Sequence, residues 1–202
     1  MNKVLLSIAA AAALFAGAAH AGDYVGVDFQ NKDKAYVAEY HDVYGAYYGH
    51  TIDQGQYKGV TIEGRIEDEV VTSPAKQEGL FQVKAAYAPD YNFYGVRPYV
   101  AAAVGYKSKA TIDFPYYVAE VGAKYTVPVY FQNKLELKLA TRLRSPFDEG
   151  TYHSGPDRYR TVETSVGAGY KVTAHDTVFV KSALETGDSH YETWGVGVTH
   201  SF

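Results

Sequence analysis

The sequence predicts an all-β chain, an antiparallel up-and-down transmembrane β-barrel of ten strands (alternative: eight) after a cleaved signal peptide. Three observations carry that prediction. Apolar residues recur at alternate positions in runs of about 10 to 14 residues, the length of a tilted strand crossing a bilayer. Beyond the first twenty-one residues no segment approaches ~18 consecutive apolar residues, and in lipid a backbone is satisfied only by helices or closed barrels. Tyrosine is in large excess, twenty against nine Phe and one Trp, and its apolar ring with a polar tip suits the boundary between hydrocarbon and water.

The chain opens with one positive charge in Met1-Asn2-Lys3, runs through Val4-Leu5-Leu6-Ser7-Ile8 into an alanine-rich stretch, and reaches Ala19-His20-Ala21. A charged start, a short apolar run and a small-x-small site are the parts of a secretory signal peptide. Residues 1–21 are therefore expected to be removed and residues 22–202 to form one barrel domain, starting at Gly22. With no cysteine, thiol redox chemistry and thiolate metal sites are excluded. A net charge of −4 gives no reason to expect nucleic acid as a partner. The mature histidines show no metal-ligand spacing, so neither a metal nor a cofactor is expected.

The alternation recurs along the chain. Ile62, Ile66 and Val70 lie opposite Thr61, Glu63, Arg65 and Glu67. Phe81, Val83, Ala85 and Tyr87 oppose Gln82 and Lys84, and Tyr94, Val96, Val100, Ala102, Val104 and Tyr106 oppose Arg97, Tyr99, Ala101, Ala103 and Gly105. Tyr117, Ala119, Val121, Ala123 and Tyr125 oppose Glu120, Gly122 and Lys124; Leu135, Leu137, Leu139 and Leu143 oppose Glu136, Lys138, Ala140 and Arg142. The last three runs are Val162 to Tyr170, Val178 to Leu184 and Trp194 to Phe202. Ahead of them, Val25, Val27 and Phe29 alternate, 31–34 reads as a turn, and Tyr36, Ala38, Tyr40, Tyr44, Ala46 and Tyr48 follow, with Asp42 interrupting that face.

Parity assigns the interior. Glu63, Arg65, Glu67, Lys84, Arg97, Glu120, Lys124, Glu136, Lys138, Arg142, Glu163 and Lys171 share the polar face, as do Lys181 and Glu185. Small residues interleave with them, as a narrow interior needs. The signs are mixed, so these side chains are expected to pair and close the lumen; a selective pore would line itself with one sign. Between the runs, 68–79, 107–113, 145–157 and 186–189 are expected as longer outer loops, and 89–93, 128–133 and 173–176 as short inner turns. Both termini then lie in the periplasm. Arg158 and Arg160 fall on the lipid side at the outer rim, where guanidinium groups can bind the phosphates of lipopolysaccharide.

The ending Trp194-Gly195-Val196-Gly197-Val198-Thr199-His200-Ser201-Phe202 resembles the terminal strand of outer-membrane β-barrel proteins. Phe202, Val198, Val196 and Trp194 match that pattern, while His200 stands where an aromatic or apolar residue is usual. In architecture the mature chain resembles the small barrels of the OmpA and OmpX type. The resemblance implies an outer-membrane location and that the barrel-assembly machinery reads the last strand, Trp194 and Phe202 above all.

The expected role is envelope structure or surface interaction, with outer-membrane lipid and lipopolysaccharide as partners and an extracellular ligand open to the outer loops. The alternative is a narrow selective channel. An enzyme and a soluble periplasmic barrel are the weaker readings. Ser145, His153, Ser154, Asp148 and Glu149 hold the groups of a hydrolase, but Pro, Gly, Ser and Asp are also what a surface loop contains.

Overall fold

Period-two alternation becomes strand wherever one face must meet lipid and the other must fit inside the barrel. The computed structural model describes residues 22–34, 40–72, 75–108, 113–128, 134–147, 160–187 and 190–202. Within them run β1 (Asp23–Lys34), β2 (Tyr40–Thr51), β3 (Val60–Thr72), β4 (Ala75–Tyr87) and β5 (Val96–Ser108). The second half adds β6 (Asp113–Val127), β7 (Leu135–Pro146), β8 (Thr161–Lys171), β9 (Asp176–Gly187) and β10 (Tyr191–Ser201). Each strand pairs antiparallel with its neighbour in sequence, and β1 pairs with β10 to close the barrel. Ten strands is the count, not eight. Closure leaves no unpaired edge, which a sheet in lipid cannot tolerate.

The register fixes which side chains face out. Ile66 stands opposite Phe81, Val100 opposite Val121, Leu139 opposite Val166, and Val180 opposite Val196. These outward residues are the uncovered ones: Val121 is 60% exposed and Leu139 54%, whereas the inward Glu163 is 4% exposed. A barrel in water would invert that order, because apolar surface is driven inside. The soluble-barrel reading is therefore overturned by the sense of the alternation. Outward Tyr48, Tyr87, Tyr125 and Tyr170 sit toward the end that holds both termini, with Tyr106 and Tyr117 toward the other. They form the two aromatic boundaries of a membrane band.

Inside, tyrosines pack onto glycines of the next strand. A Cβ on Gly26 would enter the Tyr47 ring, and one on Gly49 the Tyr24 ring. Gly105 and Gly122 stand in the same relation to Tyr116 and Tyr99. The small residues of the polar face are thus the sockets for large ones. A compact apolar cluster of Ala103, Phe114, Tyr116 and Val118, with Leu80 against it, fills one wall of the lumen.

Several boundaries differ from expectation. The loop expected over 68–79 is mostly strand: Asp68 pairs with Gly79, Glu69 with Glu78 and Val71 with Lys76, so β3 and β4 continue nearly to their turn. Ser145 and Pro146 end β7 rather than open a loop, paired with Tyr117 and Tyr116. Tyr94 belongs to the 88–95 turn, at φ 51°, and β5 starts after it. The contrast between long outer loops and short inner turns also fails in part, since 52–59 and 88–95 are as long as most segments at the opposite end. Residues 1–21, expected to be a signal peptide, and residues 148–159, Arg158 among them, lie outside the described residues.

Candidate functional site: the charged lumen

The interior is built by one face of all ten strands, and parity alone brings its charges together. Glu63, Arg65 and Glu67 come from β3, Lys84 from β4, Arg97 from β5, and Glu120 and Lys124 from β6. Glu136, Lys138 and Arg142 come from β7, and Glu163 and Lys171 from β8. The register turns all twelve toward the axis. It also turns inward several charges absent from that set: Asp28, Lys32, Glu69, Glu78, Lys107 and Arg144. His41 joins them. Lys32, Glu69, Glu78 and Lys107 sit where the sequence suggested turns or loops, so no alternation frame was carried across them; Asp28, His41 and Arg144 lie in or beside alternating runs whose polar face was not followed to those positions. Extending the polar frame of Thr61, Glu63, Arg65 and Glu67 by two residues would have found Glu69.

Toward the end opposite the termini the charges are interlocked and covered. Glu69 lies 2.6 Å from His41 Nδ1, 2.9 Å from Lys107 Nζ and 3.6 Å from Lys32 Nζ. Lys107 also reaches Glu78 at 3.1 Å. Nearer the middle, Arg65 bridges Asp28 and Glu67, each at 2.6 Å. Across the barrel Glu163 holds Arg142 at 2.5 Å and Lys181 at 2.8 Å. The side chains of Glu69, His41, Lys32 and Lys107 are all no more than 12% exposed. Buried charges of this kind persist only when paired and hydrogen-bonded. Among the described residues, Arg144 Nε is the single buried side-chain polar atom without a hydrogen-bond partner.

The half nearer the termini is looser. Tyr24 donates to Glu63 at 2.8 Å, and Lys84 pairs with Glu63 at 2.9 Å. Tyr99 donates to Glu120 at 2.7 Å, and Lys138 stands 3.6 Å from the same carboxylate and 5.2 Å above the Tyr99 ring. Below them Glu136 is shared by Lys124 at 3.5 Å and Arg97 at 3.8 Å. Lys124, Lys138 and Arg97 are 42%, 43% and 47% exposed. A cleft of about 580 Å³ opens at this end, lined by Asp90, Asn92, Tyr94, Gly95, Arg97, Thr126 and Pro128. The lumen charges are thus half-exposed in an open chamber at one end and covered and closely paired toward the other.

The other singled-out residues fall as follows. Arg160 is exposed immediately before β8. Trp194 and Phe202 both face outward, Trp194 near the start of β10 and Phe202 just beyond its end. Of the residues weighed as a hydrolase set, Ser145 is buried at the end of β7, while Asp148, Glu149, His153 and Ser154 lie outside the described residues.

No protein-family model matches the sequence, and no curated protein is detectably similar to it. Solved structures are similar in fold. An outer membrane channel from Pseudomonas putida F1 superposes with a TM-score of 0.57 at 11% identity, covering 92% of this chain and 97% of that one. The β domain of the Bordetella autotransporter BrkA gives 0.52 at 7% identity, covering 90% and 99%. The NanC porin gives 0.50 at 10% identity, covering 88% and 100%.

Proposed function

With an outer-membrane barrel as its fold and its location, we propose that the protein works as a closed barrel, in envelope structure and surface contact, and offers no continuous path for solutes. The observation that carries this reading is the covered ion-pair lattice around Glu69, which joins β1, β2, β3, β4 and β5 along one side of the lumen. Ten strands enclose little more space than the eight-stranded barrels whose interiors side chains fill, and open aqueous channels belong to much larger barrels. Tyr116, Phe114 and Val118 occupy what space the charges leave. The test is solute flux: liposomes carrying the folded barrel should swell in small sugars or amino acids no faster than empty liposomes. Swelling above that background would refute the closed reading.

A narrow channel is the second reading, and the half-exposed Arg97, Lys124 and Lys138 at the chamber end favour it. The channel and porin among the similar folds keep it in view, though resemblance at about 10% identity concerns fold alone. On this reading the chamber would prefer anions, and flux would depend on those three side chains.

The contacts of the surface are part of the same proposal. Arg158 and Arg160 are proposed to hold lipopolysaccharide phosphates at the outer rim; undiminished lipopolysaccharide co-purification after both are changed to Ser would remove that role. Trp194 and Phe202 are proposed as the feature read by the assembly machinery. Phe202→Ala should lower the heat-modifiable folded fraction in the envelope, and an unchanged fraction would count against it.

A further inference from the structure

His200 is the one departure from the terminal-strand pattern, and the barrel gives it a neighbour that sequence spacing hides. The turn between β8 and β9 is tightly built. Thr173 Oγ1 accepts the N–H groups of His175 at 3.1 Å and Asp176 at 2.9 Å, and donates to Asp176 Oδ2 at 2.6 Å. Fixed in this way, Asp176 presents Oδ1 to His200 Nδ1 at 2.8 Å. The backbone N–H of Ser201 donates to the His175 carbonyl at 2.8 Å, and His175 Nδ1 lies 2.9 Å from the Ser201 carbonyl oxygen.

These partners fix the tautomers. A carbonyl oxygen and a carboxylate only accept, so Nδ1 carries the proton on both rings and each neutral imidazole keeps its lone pair on Nε2. The two rings lie 5.9 Å apart, centroid to centroid, inclined by 32°. Neither Nε2 is engaged by a hydrogen bond or ion pair among the described residues. Metal-binding histidines are held in this way, with the second ring N–H donated to a carboxylate or a backbone carbonyl.

We propose that His175 and His200 form a two-imidazole site for a borderline divalent transition metal such as Zn²⁺. At Zn–N distances of about 2.0–2.1 Å, two imidazoles sharing one ion through Nε2 place their centroids about 5–6 Å apart. The observed 5.9 Å lies at the wide end of that range. Imidazole nitrogen suits Zn²⁺, Cu²⁺ and Ni²⁺, and water completes the coordination on this exposed rim. Asp176 and the Ser201 carbonyl orient the ligands and do not touch the ion. Bound metal ties the 172–175 turn to β10, the strand that closes the barrel against β1. Because the site exists only in the folded barrel, occupancy adds to stability by mass action.

The test uses the full chain, exported and purified in detergent without a polyhistidine tag, stripped with chelator, its fold checked by heat-modifiable migration. Titration with Zn²⁺ near neutral pH should give one ion per barrel. Affinity should fall by about tenfold or more in His175→Gln and in His200→Gln, and by a comparable factor in Asp176→Asn. His50→Gln should leave it unchanged, although His50 also faces a carboxylate, Asp23, at 2.5 Å. Zn²⁺ should raise the temperature at which the folded form is lost, and chelator should reverse the rise. Unchanged Zn²⁺ affinity in the His175→Gln/His200→Gln double variant, or no binding by the folded barrel at millimolar Zn²⁺, overturns the site. Should His200→Gln fold poorly, His175→Gln on the exposed turn decides the matter by itself.

Discussion

Glu69 is held by two lysines and a histidine in a space almost closed to solvent. Removing one partner of a buried ionic cluster leaves the others desolvated and uncompensated, a loss of about 3–5 kcal/mol. Glu69→Ala should therefore lower unfolding stability by that order, read as a shift in the urea midpoint in micelles, and a shift under about 1 kcal/mol would mean that water reaches the cluster. The tyrosine sockets make a second claim at this scale. Gly26→Ala forces the Tyr47 ring to move, and overpacking of this kind costs about 1–3 kcal/mol. In a Tyr47→Ala background the same change should cost close to nothing; additive losses would show that the ring and the glycine do not compete for one space. These residue-level contacts were half legible. Small residues on the polar face announced a tight interior, yet Tyr24, Tyr47 and Tyr116 were not distinguishable by type from tyrosines of the membrane boundary. Only the register tells them apart.

At the scale of elements, strands were legible where one face meets hydrocarbon and lost where neither does. β5 to β10 carry long apolar faces, and their runs stand out in the sequence. The ends of β3 and β4 do not, because beyond the membrane band polar residues interrupt the outer face: Asp68 faces outward and accepts two hydrogen bonds from Gln77 at 2.9 Å. The ladder continues there without a continuous apolar face, so the alternation fades and the segment reads as a loop. Asp42, which interrupts the outer face of β2, has a local answer in Asn31, whose side-chain amide donates to it at 3.0 Å. The band edge is testable. Val121→Arg, in the middle of the lipid face, should cost about 2–4 kcal/mol, falling toward zero near an interface. Gln77→Arg, outward but above the band, should change stability by no more than about 0.5 kcal/mol. Equal costs at the two positions would place the band elsewhere. The His175–His200 pair was illegible for a related reason: the two residues are remote in sequence and meet only through the β9–β10 register.

For the whole molecule, closure is what the sequence implied most firmly, since backbone groups in lipid leave no other solution for strands. Whether the lumen is open depends on pairing among side chains from several strands, and period-two reading yields their side of the sheet but not their height along the axis. The interior is divided along that axis: a covered lattice around Glu69, Arg65 and Glu163, and a chamber around Lys124, Lys138 and Arg97 that opens at the end holding the termini. A barrel so divided should bind ions in its chamber without passing them. Single-channel recording of the folded chain in a planar bilayer, with heat-modifiable migration as proof of folding, tests this most directly. The closed lattice predicts a silent membrane at all ordinary voltages. Discrete, reproducible conductance steps from demonstrably folded protein would contradict it and make the charged lumen a conduction path.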